Sequence, residues 1–283
     1  MPGRTLLICA AAVFFAAAAP AAEFRKFSLG GMEITALADA AARAPAQAQD
    51  ARQLLVGLTQ ADAAKYLTSP EAMRNSLNCF VVKTASETIL FDTGNGAGKG
   101  GMAADSLKAA GLTPEDIDAV VISHFHGDHI GGLTAGDGAA TFPAARLMVP
   151  RVEVEAMPQQ AARFMSAYAG RLHAFEWGQP VADGVLAAEA IGHTPGHTVF
   201  LIRDGNNTLL IGADLIHFGG IQLPVPAVAV TYDADADKAI ASRARWFAMA
   251  ADEKFVVATM HLPFPGIGTL AKEGRGYAFT GLK

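Results

Sequence analysis

Cysteine is almost missing from this 283-residue chain, which carries only Cys9 and Cys79. Cys9 lies in an apolar stretch near the start, so a processed chain would keep Cys79 alone and form no internal disulfide. Its stability must then come from the core and from any bound ion. Charge is sparse at 17% of residues, and its balance is acidic, with a formal net charge of -5. No basic stripe occurs, which excludes the phosphate-neutralising surface that a nucleic-acid partner requires. Also lacking is an apolar run of the roughly 20 residues that span a bilayer. The stretch Leu6 to Ala19 is shorter, follows Arg4, and ends in Ala19-Pro20-Ala21, an A-x-A cleavage pattern. Residues 1–22 therefore read as a secretory signal peptide, with a periplasmic or secreted product and no stable membrane anchor. Removing Arg4, the only charged side chain there, takes the net charge from -5 to -6. Residues 23–283 remain as a single domain, and a hydrophobic fraction of 51% suffices for a large core.

Histidine, in contrast, is concentrated. Ser123-His124-Phe125-His126-Gly127-Asp128-His129 packs three imidazoles and a carboxylate directly behind Ala119-Val120-Val121-Ile122, an apolar run that reads as a buried strand. Side chains at i and i+2 of an extended segment point the same way, so His124 and His126 can converge on one ion. The turn at Gly127 redirects Asp128 and His129 toward a second. Two ions are therefore expected. Nitrogen and carboxylate donors suit zinc, manganese, iron or cobalt, and a pair of such ions activates a bridging water for hydrolysis. The alternative is a set of surface histidines without metal, against which the donor density argues.

Along the rest of the chain, Phe24 to Leu29 and Met32 to Leu37 flank Gly30-Gly31 and predict a β-hairpin. Ala38 to Asp50 reads as a loop, and a short helix is expected from Thr59, its N-cap, to Tyr66. The stretch from Ala38 to Asn75 either covers a substrate cleft or packs on the core. A second hairpin, Asn78 to Lys83 with Thr88 to Phe91, runs into Asp92-Thr93-Gly94. There Asp92 either receives a bond from a metal-bound histidine or simply shapes the turn. A helix is expected over Met102 to Ala110, another over Arg151 to Tyr168, and a third over Asp233 to Ala251. Arg146 to Val149 reads as a strand, Val185 to Ile191 as a strand ending before His193, and Thr198 to Ile202 with Thr208 to Ile211 as a hairpin ending at Asp214. Phe255 to Thr259 is the last largely apolar strand and leads to His261. Strand, then histidine or aspartate, then glycine or proline recurs at 124–129, 193, 214 and 261. Loops at one edge of a stacked-sheet scaffold can bring all of these together. Of eight histidines, seven lie in or just after these segments and only His173 stands apart.

These motifs resemble the metallo-β-lactamase fold superfamily along essentially all of the processed chain. The specific match is H-x-H-x-D-H at His124, His126, Asp128 and His129, followed in family order by His193, Asp214 and His261. The resemblance implies an α/β fold, a four-layer αββα sandwich. It also implies two divalent ions, with zinc the first expectation. His124, His126 and His193 would hold one, Asp128, His129 and His261 the other, and Asp214 would bridge both. His193 is preferred to His197 because the family ligand is the first histidine of H-T-x-G-H. Asp92-Thr93-Gly94 matches the family's D-T-G turn. The strings around Asp214 and His261 look nearest to the methyl parathion hydrolase group and related exported hydrolases, with Ala213 departing from the family's G-D pair. Lactonases of this fold usually carry tyrosine three residues after the bridging aspartate, where this chain has His217.

The activity so implied is hydrolysis of small neutral esters, lactones or phosphotriesters by a bridging hydroxide. The alternatives are an acyl-homoserine lactonase, a phosphodiesterase of the same fold, which the acidic charge disfavours, or a non-catalytic metal-binding protein. Asp128 is expected to carry a proton to the leaving group, and His217 either to donate to a substrate oxygen or to pack behind a ligand. His197 is expected to be structural. Phe80, Phe125, Phe218 and Phe264 either line an apolar pocket or belong to the core. A small-molecule substrate is the expected partner, and a homodimer is left open.

Overall fold

Strand alternation decides the layering. In the computed structural model, which describes residues 22–40 and 52–283, the predicted first hairpin is present as β1 (Phe24–Leu29) and β2 (Met32–Ala40), joined at Gly30-Gly31. Strand β2 runs three residues beyond the expected Leu37, and the remainder of the expected loop, like residues 1–21 of the stretch read as a signal peptide, lies outside the described residues. A two-residue strand, β3 (Leu55–Val56), and helix α1 (Gln60–Tyr66) follow. Thr59 caps α1 as expected, accepting from the Asp62 amide at 3.1 Å. Then come β4 (Leu77–Lys83), β5 (Thr88–Phe91), helix α2 (Ala103–Ala109) and β6 (Ala119–Val121). The one-turn helix α3 (Gly127–Ile130), β7 (Arg146–Pro150), helices α4 (Arg151–Ala156) and α5 (Pro158–Met165), and β8 (Leu172–Phe175) complete the first half.

The second half consists of β9 (Pro180–Ala182), β10 (Val185–Glu189), β11 (Thr198–Asp204), β12 (Asn207–Ala213), the short helix α6 (Gly219–Gln222), β13 (Ala229–Val230), helix α7 (Ala236–Asp252), β14 (Val256–Thr259), β15 (Ile267–Glu273) and β16 (Gly276–Gly281). One seven-stranded sheet has the order β1-β2-β4-β5-β6-β7-β8, the other β16-β15-β14-β12-β11-β10-β9, and β3 pairs with β13 apart from both.

Phe80 and Val82 of β4 face the second sheet while Cys79 and Val81 face outward, and on β11 Phe200 and Ile202 face inward while Val199 and Leu201 face outward. Period-two burial on both faces is what a sheet covered on each side requires. Between the sheets lies the core of Ile34, Phe80, Phe91, Phe200 and Ile211. Leu107, Ala161 and Phe164 cover the outer face of the first sheet, and Trp246, Phe247 and Ala250 that of the second. The result is the expected αββα sandwich.

Two sequence readings need correction. The helix expected over 151–168 is two helices, because Pro158 has no amide to continue α4 and restarts the chain as the first residue of α5. Phe255–Thr259 is followed by a further hairpin, β15 and β16, whose mixed composition gives no apolar run. The stretch after Arg52 builds its own small core with Leu67 and Met73 against Phe218, Ile221, Val225, Val228 and Val230. Among the described residues no helix is long and apolar enough to cross a membrane.

Candidate metal centre

Strands β5 and β6 are parallel neighbours, as are β12 and β14, so the chain leaves each pair at a common edge. Asp92 follows β5, His124 follows β6, Asp214 follows β12 and His261 lies just beyond β14. His193 comes from the β10–β11 connection, and Asp128 and His129 from α3. Two of these strand ends hold a residue other than glycine at positive φ, Asp92 at 57° and Ala213 at 43°. Backbone bent into this region costs energy and marks places where the surrounding structure dictates direction.

All seven residues expected as ligands converge. His124, His126, His193 and Asp214 offer donor atoms within 4.8 Å of one another, and so do Asp128, His129 and His261. Asp214 stands between the two groups. Its Oδ2 lies 3.1 Å from His193 Nε2, 3.2 Å from His261 Nε2 and 3.7 Å from His124 Nε2, and its Oδ1 lies 3.2 Å from His129 Nε2. Asp128 Oδ2 is 3.8 Å from His129 Nε2 and 3.7 Å from His261 Nε2. His126 Nδ1 faces His193 Nε2 at 2.9 Å.

Such a cluster fits cations. His124 Nε2, His129 Nε2 and Asp214 Oδ1 are buried yet form no hydrogen bond among the described residues, a costly arrangement that coordination would relieve. Burial would raise the Asp214 carboxyl, but the ring of imidazoles, His129 first, holds it well below the ordinary carboxylate range. Burial pushes His126 down to about 4, leaving a neutral imidazole able to ligate. His193 goes the other way: burial opposes charge, but Asp214 and Asp233 outweigh it and push it up to about 9. A bound cation would displace that proton.

The surroundings orient the donors. Asp92 accepts from the Ser123 amide and hydroxyl and lies 2.7 Å from His129 Nδ1, the position a partner of a ligating histidine would take. Asp233 Oδ1 does the same for His193 Nδ1 at 2.8 Å. His197 is placed as expected for a structural residue: its Nδ1 is 2.8 Å from the Ala190 carbonyl and its Nε2 accepts the Asp214 amide at 3.1 Å, so both ring nitrogens are spoken for. Burial pushes it down to about 3. His217 stacks on His261 with ring centroids 4.8 Å apart, lies 4.9 Å from the ring of Tyr232, and directs Nε2 at Asp214 Oδ2 at 3.1 Å. His173 sits exposed on β8, far from this chemistry in role as expected. Phe80, Phe125 and Phe218 are buried in the core, and Phe264 packs against it.

Sequence reasoning missed Asp233, Asp39 and Glu153. Asp39 is buried and accepts from the amides of Asn95 and Ala103, which fixes the loop that follows Asp92. None of the three stands in a recognisable motif, and Asp233 and Glu153 sit in alternating charged stretches that read as solvated, so no local signal distinguishes them.

The fold that carries this cluster is shared with known proteins. The chain matches the Metallo-beta-lactamase superfamily over residues 74–261 and belongs to that family. It is 29% identical over 161 residues to an N-acyl homoserine lactonase of Bacillus sp, a match covering 48% of this chain and 62% of that one. The chain thus spans less than two thirds of that relative. Among solved structures it is similar to the dizinc quorum-quenching lactonase AidC, in complex with a product N-hexanoyl-L-homoserine, at 27% identity and a TM-score of 0.77, covering 93% of this chain and 98% of that one. It is also similar to the hydrolase AbOPH of the beta lactamase superfamily, at 27% identity and a TM-score of 0.82, again covering 93% and 98%. The fold is that of the family, and the donor set could hold two divalent ions.

Proposed function

We propose that this protein is a dinuclear hydrolase of small neutral esters, with lactones, including acyl-homoserine lactones, as its foremost substrates. In this reading His124, His126 and His193 would hold one ion and Asp128, His129 and His261 the other, with Asp214 placed to serve both, and zinc would be the metal. The carrying observation is the asymmetry of exposure around the centre. Five of the seven side chains are buried, whereas His126 is half-buried and the Asp128 side chain is 37% exposed, so the site opens to solvent on their side. A catalytic centre needs such an open side, and a purely structural one does not. The similarity to a product-bound dizinc lactonase supports the lactone assignment.

When bound, the two ions supply Lewis acidity and a water acidic enough to attack near neutral pH. The protein's residues do the rest. Asp128, at the open side, carries the proton to the departing oxygen. Burial pushes His217 down to about 4, so it is neutral when substrate arrives. His217 Nε2, 3.1 Å from Asp214 Oδ2, would hold a proton that a substrate oxygen brought beside it could accept. The ring of Tyr232, 37% exposed and beside both His193 and His217, offers an apolar wall to the substrate. Phosphotriesters form the second reading, supported by the resemblance around Asp214 and His261 to the methyl parathion hydrolase group. We also propose that the chain is exported and acts in the periplasm or outside the cell after loss of residues 1–22; cell fractionation with mass determination of the processed N-terminus tests this.

The function is tested by loading the purified protein with two zinc ions and comparing acyl-homoserine lactones, aryl esters, aryl phosphotriesters and bis-aryl phosphodiesters by kcat/KM. Lactones and esters should lead. Fastest turnover of the anionic diester, or no turnover of any neutral substrate by protein carrying two ions, would sink the assignment.

A further inference from the structure

Glu153, on α4, is a fully buried carboxylate whose two hydrogen-bond donors are both backbone amides. A charge taken out of water this completely must be compensated in place, and charge-assisted bonds from fixed amides do so. The identity of the donors is telling. Oε2 accepts at 2.9 Å from the amide of Phe125, the residue between His124 and His126. Oε1 accepts at 2.6 Å from the amide of Gly196, in the loop between His193 and His197. One loop leaves the first sheet and the other connects strands of the second, so a single carboxylate fastens together two loops that carry three of the four donors of one ion group. Beside it the Thr198 amide donates to the Ser123 carbonyl at 3.1 Å, closing the same seam.

The fit between helix and loop is close on both sides. A Cβ at Gly196 would come within 2.7 Å of the Glu153 amide nitrogen, 2.8 Å of its Cγ and 2.9 Å of its Oε1, so glycine there admits the helix. Phe125 is held from the other side by Phe164 of α5, edge to face with centroids 5.2 Å apart. The donors of the second group, Asp128, His129 and His261, receive nothing from Glu153.

We infer that Glu153 is a positioning residue for the ion held by His124, His126 and His193, setting the separation of the two loops and leaving the other ion untouched. This role presupposes the two-ion site proposed above. A carboxylate is required because both of its oxygens accept. In the isosteric Glu153→Gln, one of those oxygens becomes an NH2 group aimed at a backbone N–H, so one of the two ties is lost while shape is kept.

The test is ion retention, read by elemental analysis, for zinc-loaded protein equilibrated against rising chelator. Wild type should carry two ions, and Glu153→Gln should release one of them at roughly tenfold lower chelator, in line with the effect of residues that orient metal ligands, with the other ion released where wild type releases it. Gly196→Ala, which pushes on the same joint from the opposite side, should do likewise, and it decides the matter if Glu153→Gln fails to fold. Leu107→Ala, in the outer core, should lower Tm without moving either release step. Placed on His193→Ala, where that ion site is already crippled, Glu153→Gln should weaken the remaining ion no further. Wild type that holds fewer than two ions would overturn the dinuclear site itself. Wild type that holds two, with both release steps unmoved or moved equally in the variants, would overturn the role of Glu153.

Discussion

His129 Nδ1 lies 2.7 Å from Oδ2 of Asp92, so the side of the imidazole away from the metal centre is committed to a carboxylate that also receives the Ser123 amide and hydroxyl. Burial opposes charge on His129, but without an ion Asp214, Asp128 and Asp92 outweigh it and hold the imidazole well above its ordinary range. A bound cation would displace the Nε2 proton, and the Asp92 bond would keep the other on Nδ1.

Replacing Asp92 by asparagine reverses that logic. The backbone at φ 57° suits asparagine, so the turn survives. The amide NH2 would face Nδ1 and drive the proton to Nε2, which then cannot ligate. We expect Asp92→Asn to weaken metal binding by about 10- to 100-fold with little change in far-UV circular dichroism. Chelator competition checks this, and unchanged retention would reduce Asp92 to a turn former.

His193 and His197 should separate cleanly. His193→Ala removes a donor of the metal cluster and should abolish activity with loss of bound metal. His197→Ala instead leaves the buried Asp214 amide without its acceptor, a cost of about 1–3 kcal/mol in stability. A good fraction of activity should remain in that variant at 25 °C. The reverse ranking in parallel kcat/KM and metal assays would place the ligand four residues downstream.

Asp128 can be examined by varying the leaving group. Asp128→Asn keeps one oxygen for coordination but cannot hand over a proton. Alkoxide leaving groups should therefore slow far more than nitrophenolates, which depart without protonation. A mutant-to-wild-type ratio that stays flat across the series, at full metal occupancy, would leave Asp128 as a ligand only.

Ala213 bears a conformational cost where the relatives' pattern has glycine. At φ 43° its Cβ crowds the backbone, roughly 1–2 kcal/mol for an L-residue, part of which glycine's greater freedom in the unfolded chain would cancel. Ala213→Gly should raise stability by up to about 1 kcal/mol in urea titration of the metal-free protein. A clear loss of stability would mean that the methyl group, fully buried, contributes more by packing than it costs in strain.

The convergence of the seven donors was legible in the sequence because they are short-range signals: they fall just past apolar strands, with glycine or proline close by in the chain. Asp92 was half-legible, since strand-end placement fits a turn as well as a ligand partner. Glu153 was not. It lies in Arg151-Val152-Glu153-Val154-Glu155, where alternating charge reads as a solvated face, and only the packing of α4 against Gly196 makes Glu153 buried while Glu155 stays exposed. The edge hairpin β15–β16 escaped for a related reason: Ile267–Glu273 ends in Ala-Lys-Glu and Gly276–Gly281 mixes glycine, aromatics and threonine, so pairing with β14 rather than local pattern makes them strands. The break in the helix over 151–168 is legible in Pro158 itself, whose missing amide cannot continue α4.

The donors run from position 124 to position 261 and come from both sheets, with the inter-sheet core of Phe80, Phe91, Phe200 and Ile211 beneath them. No segment shorter than that can assemble the pair of ion sites, and loops tied across two sheets cannot meet before the sheets have docked. Contacts so distant in sequence are the slow ones to form. If the cluster holds two ions as proposed, the complete pair of sites would exist only after the last donor is in place and the two halves have closed, so uptake of both ions would mark the completed sandwich.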